Sequence, residues 1–393
     1  MNGISSRPQP ICAPPSPDEI ERRVARVREL MDAQGLDAYV AFCPDNIFYL
    51  TNFANFVHER PFILVVARSG APRFVVPRLE IPHVRSRAVG ELELVAYPEF
   101  PAPRSHTWAD RLRPLIGPNA RVGVESICPL QVYEALPGTR VQTDIIDDVR
   151  LIKSAYEAGR IAYGCNLVTD AHQRLLAGAR PGRTLPQVAS ELSGWMMQRV
   201  LRDFPATNML ATRLMAVFQP PSVSHDPHNF TNVNMSMEQG GPHVAVLNCV
   251  VNGYGAELER TFFLGDVPAN ARRPFEVLLE ARRLAFELTV PGNAMGEVDR
   301  RVNEVFRKAG YGEFLLHRTG HGIGVTGHEA PFLAEGYDRV IETGMFFTIE
   351  PGLYIPGIGG FRHSDTVMTT DHGNVALTSG PVTLDELTVP LSG

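Results

Sequence analysis

Apolar positions along this chain follow two spacings, and the balance between them changes near residue 150. Before that point, short apolar runs typical of buried strands alternate with amphipathic helical spacing, which predicts a small N-terminal α/β domain. The predicted strands lie at residues 38–42, 62–67, 73–76 and 92–96. One predicted helix begins at Ser16, and two others cover residues 108–115 and 130–136.

After the Asp147–Ser154 segment, long helices and Gly-flanked strands predominate. They predict an α+β second domain in which helices cover a curved antiparallel sheet. The predicted helices lie at residues 154–178, 184–203, 272–290 and 296–309, and the predicted strands at residues 243–251, 255–264, 345–349 and 360–369. We therefore expect a Pro-rich leader (residues 1–15), an N-terminal domain (16–150) and a C-terminal domain (151–393).

Charge and composition limit the kinds of molecule that this protein is expected to bind. The 393 residues carry a formal net charge of -6, and the basic residues form no long run, so we expect neither nucleic-acid binding nor membrane binding. A small-molecule substrate is favoured instead. The first twenty residues lack the apolar stretch of a secretion signal, and the five cysteines are scattered. Both features favour a cytoplasmic location with reduced thiols.

Four segments of the C-terminal half are unusually rich in Gly, His and carboxylate residues. They are Leu247–Thr261, Thr319–Glu329, Ile349–Tyr354 and Gly359–Asp365. In order and spacing they resemble the creatinase/aminopeptidase family, M24, and the resemblance extends over most of the chain. It implies a small α/β domain followed by a pita-bread catalytic domain, an α+β fold, in a homodimer whose pocket lies at the subunit border.

The resemblance also identifies the positions that bind metal in the peptidases of this family. There, two Asp, one His and two Glu hold two metal ions, and bridging carboxylates balance the charge of both. The matching positions here are Asn248, Glu257, His321, Glu350 and Ser364. Because only two of the five ligands are unchanged, we predict no metal and no other cofactor. A single ion on Glu257, His321 and Glu350 stays open as an alternative.

The hairpin segment further resembles creatinase, the metal-free member, through its Leu-Asn-Cys start and its Leu-Glu-Arg-Thr end. This resemblance implies that Glu259 and Glu350 bind a guanidinium-like substrate cation. It places His228 as the general base and acid. His225 is the alternative to His228 and is otherwise a predicted substrate contact.

The same resemblance assigns further side chains. His321 and His328 are expected to line the pocket as catalytic residues. Arg60 and Arg362 are candidates to bind a substrate carboxylate through paired hydrogen bonds. The other predicted substrate contacts are Glu257, Asn248 and Ser364, whereas His317 and His363 are expected to support the structure. A purely structural interpretation also exists, in which Glu259 and Glu350 pair with Arg260 and Arg362.

These residues predict a metal-independent hydrolase that cleaves a C–N bond in a small guanidino or amidino amino-acid derivative. One alternative is a metal-dependent Xaa-Pro dipeptidase or aminopeptidase, which metal analysis would identify. Another is an ectoine-type cyclic amidine hydrolase. A third is a non-catalytic pita-bread binding protein, because this fold also serves in recognition.

Overall fold

The computed structural model describes residues 7–229 and 234–391 and divides the chain into two compact units. One unit is Ala13–Arg150, and the other combines Met1–Cys12 with Leu151–Gly393. Residues 1–6 of the expected leader lie outside the described residues. Residues 7–12 are part of the larger unit, where the Ile11 amide donates to the Gly159 carbonyl at 3.0 Å, and residues 13–15 are part of the N-terminal unit. Residues 7–12 of the leader are therefore packed against the rest of the larger unit.

The N-terminal unit is built around a six-stranded mixed sheet with the strand order β4-β3-β2-β1-β5-β6. Its first helix begins after Ser16, whose hydroxyl accepts a hydrogen bond from the Glu19 amide. The elements are α1 (Pro17–Ala33), β1 (Ala38–Ala41), α2 (Pro44–Thr51), β2 (Ile63–Ala67), β3 (Arg73–Pro77), α3 (Ile81–Arg87), β4 (Glu93–Tyr97), α4 (Trp108–Leu112), β5 (Arg121–Val124), α5 (Leu130–Ala135), β6 (Thr139–Gln142) and α6 (Ile145–Arg150).

The C-terminal unit is built around a nine-stranded sheet, in which β11-β10-β12-β15-β9-β8-β7 are neighbours, β16 pairs with β15 and β17 with β9. β13 and β14 form a separate hairpin. The elements are α7 (Ala155–Gly178), α8 (Leu185–Asp203), β7 (Arg213–Gln219), β8 (Gly240–Val251), β9 (Tyr254–Leu264), α9 (Ala269–Leu288), α10 (Met295–Lys308), β10 (Gly320–Gly322), β11 (Glu329–Leu333), β12 (Phe346–Ile349), β13 (Gly352–Ile355), β14 (Gly359–Arg362), β15 (Ser364–Thr370), β16 (Gly373–Ala376) and β17 (Thr388–Val389).

Strand β9 lies between β15 and β8 in this sheet, and all of its residues are buried. Its Arg260 is fully buried and donates to the carboxylate of Asp365 on β15 at 2.8 Å. Arg282 on α9 donates to the other oxygen of the same carboxylate at 2.6 Å. A buried charge that is paired on both sides holds neighbouring elements in one register. This network fixes β9 against β15 where both strands carry site residues.

The long helices agree with the sequence predictions, whereas the single strand predicted at 360–369 is two strands, β14 and β15, in different sheets. The four C-terminal helices were expected at 154–178, 184–203, 272–290 and 296–309, and each observed end lies within three residues of its expected end. The missed elements are short: α2, α3 and α6 among the helices, and β5, β6, β7, β10, β11, β13, β16 and β17 among the strands. Among the described residues, no helix combines the length and apolar character needed to cross a membrane.

Candidate active site

Five polar side chains meet at the centre of the large sheet. Glu257 and Glu259 are two residues apart on β9, so both side chains point to the same face. On one side, Asn248 of β8 lies opposite Glu257, and on the other side Ser364 of β15 lies opposite Glu259. Glu350 directly follows β12. Neighbouring strands thus bring together residues that are up to 116 positions apart in the sequence.

Both oxygens of Glu257 accept hydrogen bonds from residues that the sequence resemblance matched to carboxylate positions of the family. The Ser364 hydroxyl donates to Oε1 at 2.7 Å, and Nδ2 of Asn248 donates to Oε2 at 3.2 Å. Glu257 is 4% exposed. These two donors fix the orientation of a buried carboxylate.

Glu259 forms a buried ion pair with Arg362 of β14. Nη2 of Arg362 donates to Oε1 of Glu259 at 2.9 Å, and Nε is in close contact with Oε2. The same guanidinium donates to the Tyr354 hydroxyl at 3.2 Å. Burial alone would lower the pKa of Arg362, but Glu259 and Tyr354 raise it above its ordinary value. The guanidinium that Glu259 binds is therefore one of the chain's own side chains.

His321 is placed by two glycines that leave no room for a side chain. A Cβ atom at Gly320 would lie 2.1 Å from the Thr348 carbonyl oxygen, and one at Gly322 would lie 2.3 Å from that of Ala330. The imidazole is fully buried, and its Nδ1 lies 2.9 Å from the Gly322 carbonyl oxygen. A carbonyl only accepts, so Nδ1 carries the proton and Nε2 keeps its lone pair.

His328 lies directly over His321. The two rings are stacked with their centroids 3.7 Å apart and an angle of 19° between their planes. Partial burial, followed by the neighbouring His321, lowers the pKa of His328 to about 4, and His228 contributes to the same shift. Burial and Arg362 lower the pKa of His317 to about 4, again with a contribution from His228. His228 therefore lies near both of these histidines.

Glu350 completes the cluster. Its Oε1 lies 3.4 Å from Nε2 of His321. Burial, followed by the neighbouring Glu257 carboxylate, raises the pKa of Glu350 well above its ordinary value. Three carboxylates thus share one pocket, in which Arg362 pairs with Glu259. Closely spaced carboxylates in a buried pocket favour a bound cation.

The remaining predicted residues have the following surroundings. Arg60 is in the N-terminal unit, where it forms ion pairs with Glu59 and with Glu99. His225 is half-buried, and its predicted role stays untested. His363 is fully buried with its ring edge against Phe275, which agrees with a structural role. Part of the segment that was used to place His228, residues 230–233, lies outside the described residues.

Residues 159–371 match the metallopeptidase family M24, and residues 23–152 match the creatinase/prolidase N-terminal domain. The chain belongs to the metallopeptidase family M24. The predicted fold, a creatinase-type N-terminal domain followed by a pita-bread domain, is confirmed.

The similarity between this M24 protein and its relatives extends over nearly its whole length. The Mycobacterium tuberculosis protein named probable dipeptidase PepE is 29% identical over 384 residues, which are 94% of this chain and 97% of the relative. The Xaa-Pro dipeptidase of Pyrococcus furiosus is 25% identical over 365 residues, or 91% and 98% of the two chains. The crystal structure of dipeptidase PepE from Mycobacterium ulcerans is similar with a TM-score of 0.78 at 26% identity, covering 96% of this chain and all of that one.

These relatives correct the predicted function. The expected metal-independent hydrolase of guanidino compounds is wrong, because proteins similar over more than nine-tenths of the chain are dipeptidases. The error came from the hairpin resemblance to creatinase, which implied that Glu259 binds the guanidinium of a substrate. In the structure, Glu259 binds the guanidinium of Arg362 in the same chain. Membership of the broader M24 family is confirmed, as is the classification as a hydrolase.

The donor set fits a divalent metal ion. Glu257, His321 and His328 offer ligand atoms that all lie within 4.8 Å of one another, and Glu257, Glu259 and Glu350 form a second such group. Among the described atoms, Nε2 of His321 is buried without a hydrogen-bond partner. Imidazole and carboxylate are the donors that zinc, manganese and cobalt accept in hydrolases.

Sequence reasoning missed two side chains at this site. Tyr354 links Arg362 to His317, since its hydroxyl lies 2.7 Å from Nε2 of His317. It belongs to the Glu-Pro-Gly-Leu-Tyr segment, so its place in the motif was the available signal. Arg318 contributes to the pKa of His321 and of Glu350, which places its positive charge near both. It directly precedes the Gly-rich segment that the sequence reasoning singled out.

Proposed function

We propose that this M24 protein is a divalent-metal-dependent dipeptidase that hydrolyses Xaa-Pro dipeptides. The carrying observation is the convergence of Glu257, His321 and Glu350, three of the five family ligand positions, in one buried cluster. The similarity to dipeptidases over more than nine-tenths of the chain supports the same reaction class.

Two ligands for the ion lie on strands of the large sheet, Glu257 on β9 and His321 on β10. Glu257 is oriented by Ser364 and Asn248, and His321 by the Gly322 carbonyl, so both donors are fixed before an ion binds. When bound, the ion supplies positive charge for the scissile peptide carbonyl and lowers the pKa of an attacking water.

Proton transfer is assigned to two other side chains. Glu350 is next to His321, and its carboxylate is positioned to take a proton from the attacking water. Water then adds to the carbonyl carbon, the C–N bond breaks, and the leaving proline nitrogen requires a proton. His228 has an exposed side chain near His317 and His328, where it can donate that proton.

A dipeptide also presents a free carboxylate, which requires a cation at the pocket. Arg318 lies near His321 and Glu350, and its guanidinium is stacked on the Phe332 ring at 4.7 Å. We assign the substrate carboxylate to Arg318, because Arg362 already pairs with Glu259. Arg60 remains a second candidate, and the homodimer remains a prediction.

A metal reconstitution assay tests the proposal. Protein dialysed against EDTA is supplied with Mn²⁺, Co²⁺ or Zn²⁺ and assayed on Ala-Pro and Leu-Pro, with Ala-Leu and creatine as comparison substrates. We expect hydrolysis of the Xaa-Pro dipeptides only when an ion is present. His321→Ala should lower kcat/KM by about a hundredfold or more. The matched control His372→Gln, at an exposed position, should retain wild-type turnover. Full turnover in EDTA, or no dipeptide hydrolysis with any of the ions, would contradict the proposal.

A further inference from the structure

We infer that this site binds one divalent ion, in contrast to the pair used by the family's peptidases, and that His328 is a ligand beside Glu257 and His321. The inference rests on the proposed function, because it specifies how the required ion is held. It differs from the family pattern in both the number of ions and the ligand set.

The three side chains have the right separation. Their ligand atoms lie within 4.8 Å of one another, and the donors of a four-coordinate ion are roughly 3.4 Å apart when the bonds are about 2.1 Å long. Side-chain rotations of His328, whose side chain is exposed, are sufficient to close the difference. Two His and one Glu with an open fourth position are a known catalytic donor set.

His321 provides an independent sign of a ligand. Its ring is fully buried, and Nε2 has no hydrogen-bond partner among the described residues. The proton is held on Nδ1 by the Gly322 carbonyl at 2.9 Å. A buried, unprotonated nitrogen without a donor is costly unless something binds to it. Nε2 lies 3.4 Å from Oε1 of Glu350.

Charge balance distinguishes one ion from two. The dinuclear centres of this family use four carboxylates, which neutralise two divalent ions. Asn248 and Ser364 remove two of those negative charges, and two charges are what one divalent ion requires. The remaining pocket holds the carboxylates of Glu257, Glu259 and Glu350, with Arg362 paired to Glu259 and Arg318 near Glu350. A second ion would leave a buried positive excess, which is unfavourable.

The hydrogen bonds around Glu257 come from the two residues matched to lost ligand positions, so a second ion has fewer ligands. A bridging carboxylate must offer one oxygen to each metal. Here Oε1 accepts from the Ser364 hydroxyl at 2.7 Å, and Oε2 accepts from Asn248 at 3.2 Å. The amide NH₂ and hydroxyl hydrogens point at Glu257, so these two groups support a ligand and do not act as ligands.

The loop that carries His328 is anchored at the next residue. The Glu329 carboxylate forms a buried ion pair with Lys153 at 3.0 Å, and it also accepts from the Thr326 amide at 3.2 Å. On the other side, the His328 ring is stacked on His321. The backbone beside His328 is therefore held in place, and its exposed ring is free to turn from the stack toward the ion.

Metal stoichiometry without substrate tests the inference. Protein stripped with EDTA is titrated with Mn²⁺ and with Co²⁺ by calorimetry, and bound metal is counted by mass spectrometry after dialysis. We expect one equivalent in the wild type. The double variant Asn248→Asp with Ser364→Glu restores the family carboxylates and should bind two equivalents.

A separate variant tests whether His328 is a metal ligand. His328→Ala should raise the Kd for Co²⁺ at least about tenfold and change the visible absorption of the bound Co²⁺. His372→Gln, an exposed histidine of the same unit, should leave both unchanged. Circular dichroism establishes that each variant is folded. An unchanged Kd and spectrum in folded His328→Ala would overturn the assignment of His328.

Different experimental results would contradict the inferred number of ions and the proposed function. A wild-type protein that binds one ion but hydrolyses no dipeptide would support the count and contradict the proposed function. Dipeptide hydrolysis by a protein that binds two equivalents would overturn the count and support the function. No bound metal at all would overturn the count.

Discussion

Ser364 donates a 2.7 Å hydrogen bond to Glu257 at a position where the resemblance to the family's peptidases predicts a carboxylate. In those peptidases, two carboxylates in such contact are held together by metal ions. A hydroxyl donor needs no ion to stabilise the contact, so Glu257 is oriented by protein alone. The change from carboxylate to hydroxyl therefore alters both the charge of the pocket and its need for metal.

Restoring that carboxylate should make stability depend on metal. In Ser364→Glu, two buried carboxylates are in contact, and in EDTA we expect the free energy of unfolding to fall by about 3 kcal/mol. Ser364→Ala loses only the hydrogen bond and should cost about 1 kcal/mol. Urea unfolding in EDTA and in Mn²⁺ measures both, and Mn²⁺ should restore stability to Ser364→Glu. Equal stability of the two variants in EDTA would contradict the like-charge argument.

The Glu259–Arg362 pair should behave as a coupled unit. Arg362→Met leaves Glu259 buried without its cation, and we expect a loss of about 3–5 kcal/mol in the free energy of unfolding. Adding Glu259→Gln should recover part of that loss, because the uncompensated charge is removed. A double-mutant cycle from urea unfolding gives the coupling. Additive effects of the two substitutions would show that the pair is not coupled.

Lys153 should influence metal binding without contacting the ion. Lys153→Met removes the partner of Glu329, which anchors the loop of His328, so the Kd for Co²⁺ should rise about tenfold. Lys153→Arg keeps the charge and should recover most of the affinity. Titration calorimetry measures each Kd. A lower melting temperature with an unchanged Kd would indicate that Lys153 contributes to stability alone.

His172 on α7 should make stability depend on acid pH. It is fully buried near Arg260, Asp365 and His363, and burial lowers its pKa from 6.5 to about 3. The folded state keeps this imidazole neutral, whereas the unfolded chain binds a proton below about pH 6.5. Stability is therefore complete above that pH and is lost as the pH falls toward about 3.

The expected size of this effect is about 2 kcal/mol between pH 7 and pH 5. His172→Leu removes the titrating group, so its urea-unfolding free energy should fall less over the same interval. His363, also buried with a lowered pKa, should sustain the remaining slope. His372→Gln, at an exposed position, should follow the wild type. An identical pH slope in His172→Leu and wild type would refute the assignment.

Much of the fold could be predicted from the sequence. The long helices α7 to α10 have strong apolar periodicity and clear starts, such as the Ser154–Glu157 capping box before α7. Short elements like β10, with three residues, carry too few positions for any period to be visible. They are formed through pairing with distant strands, which local patterns do not reveal.

The sequence predicted which residues form the site but not which of these residues contact each other. The motifs identified Glu257, His321 and Glu350. The cation that Glu259 binds depends on the register between β9, β14 and β15. That register places Arg362 beside Glu259 and Ser364 beside Glu257. A carboxylate pair that binds a side chain and one that binds a substrate have the same sequence pattern, so the structure was needed to distinguish them.

The most direct test is a titration of turnover against metal. EDTA-stripped protein is assayed on Ala-Pro as Mn²⁺ is added in steps from zero to four equivalents per chain. The account predicts no hydrolysis without metal and a rise that ends at one equivalent. Full turnover before any Mn²⁺ is added, or a rise that continues to two equivalents, would contradict it.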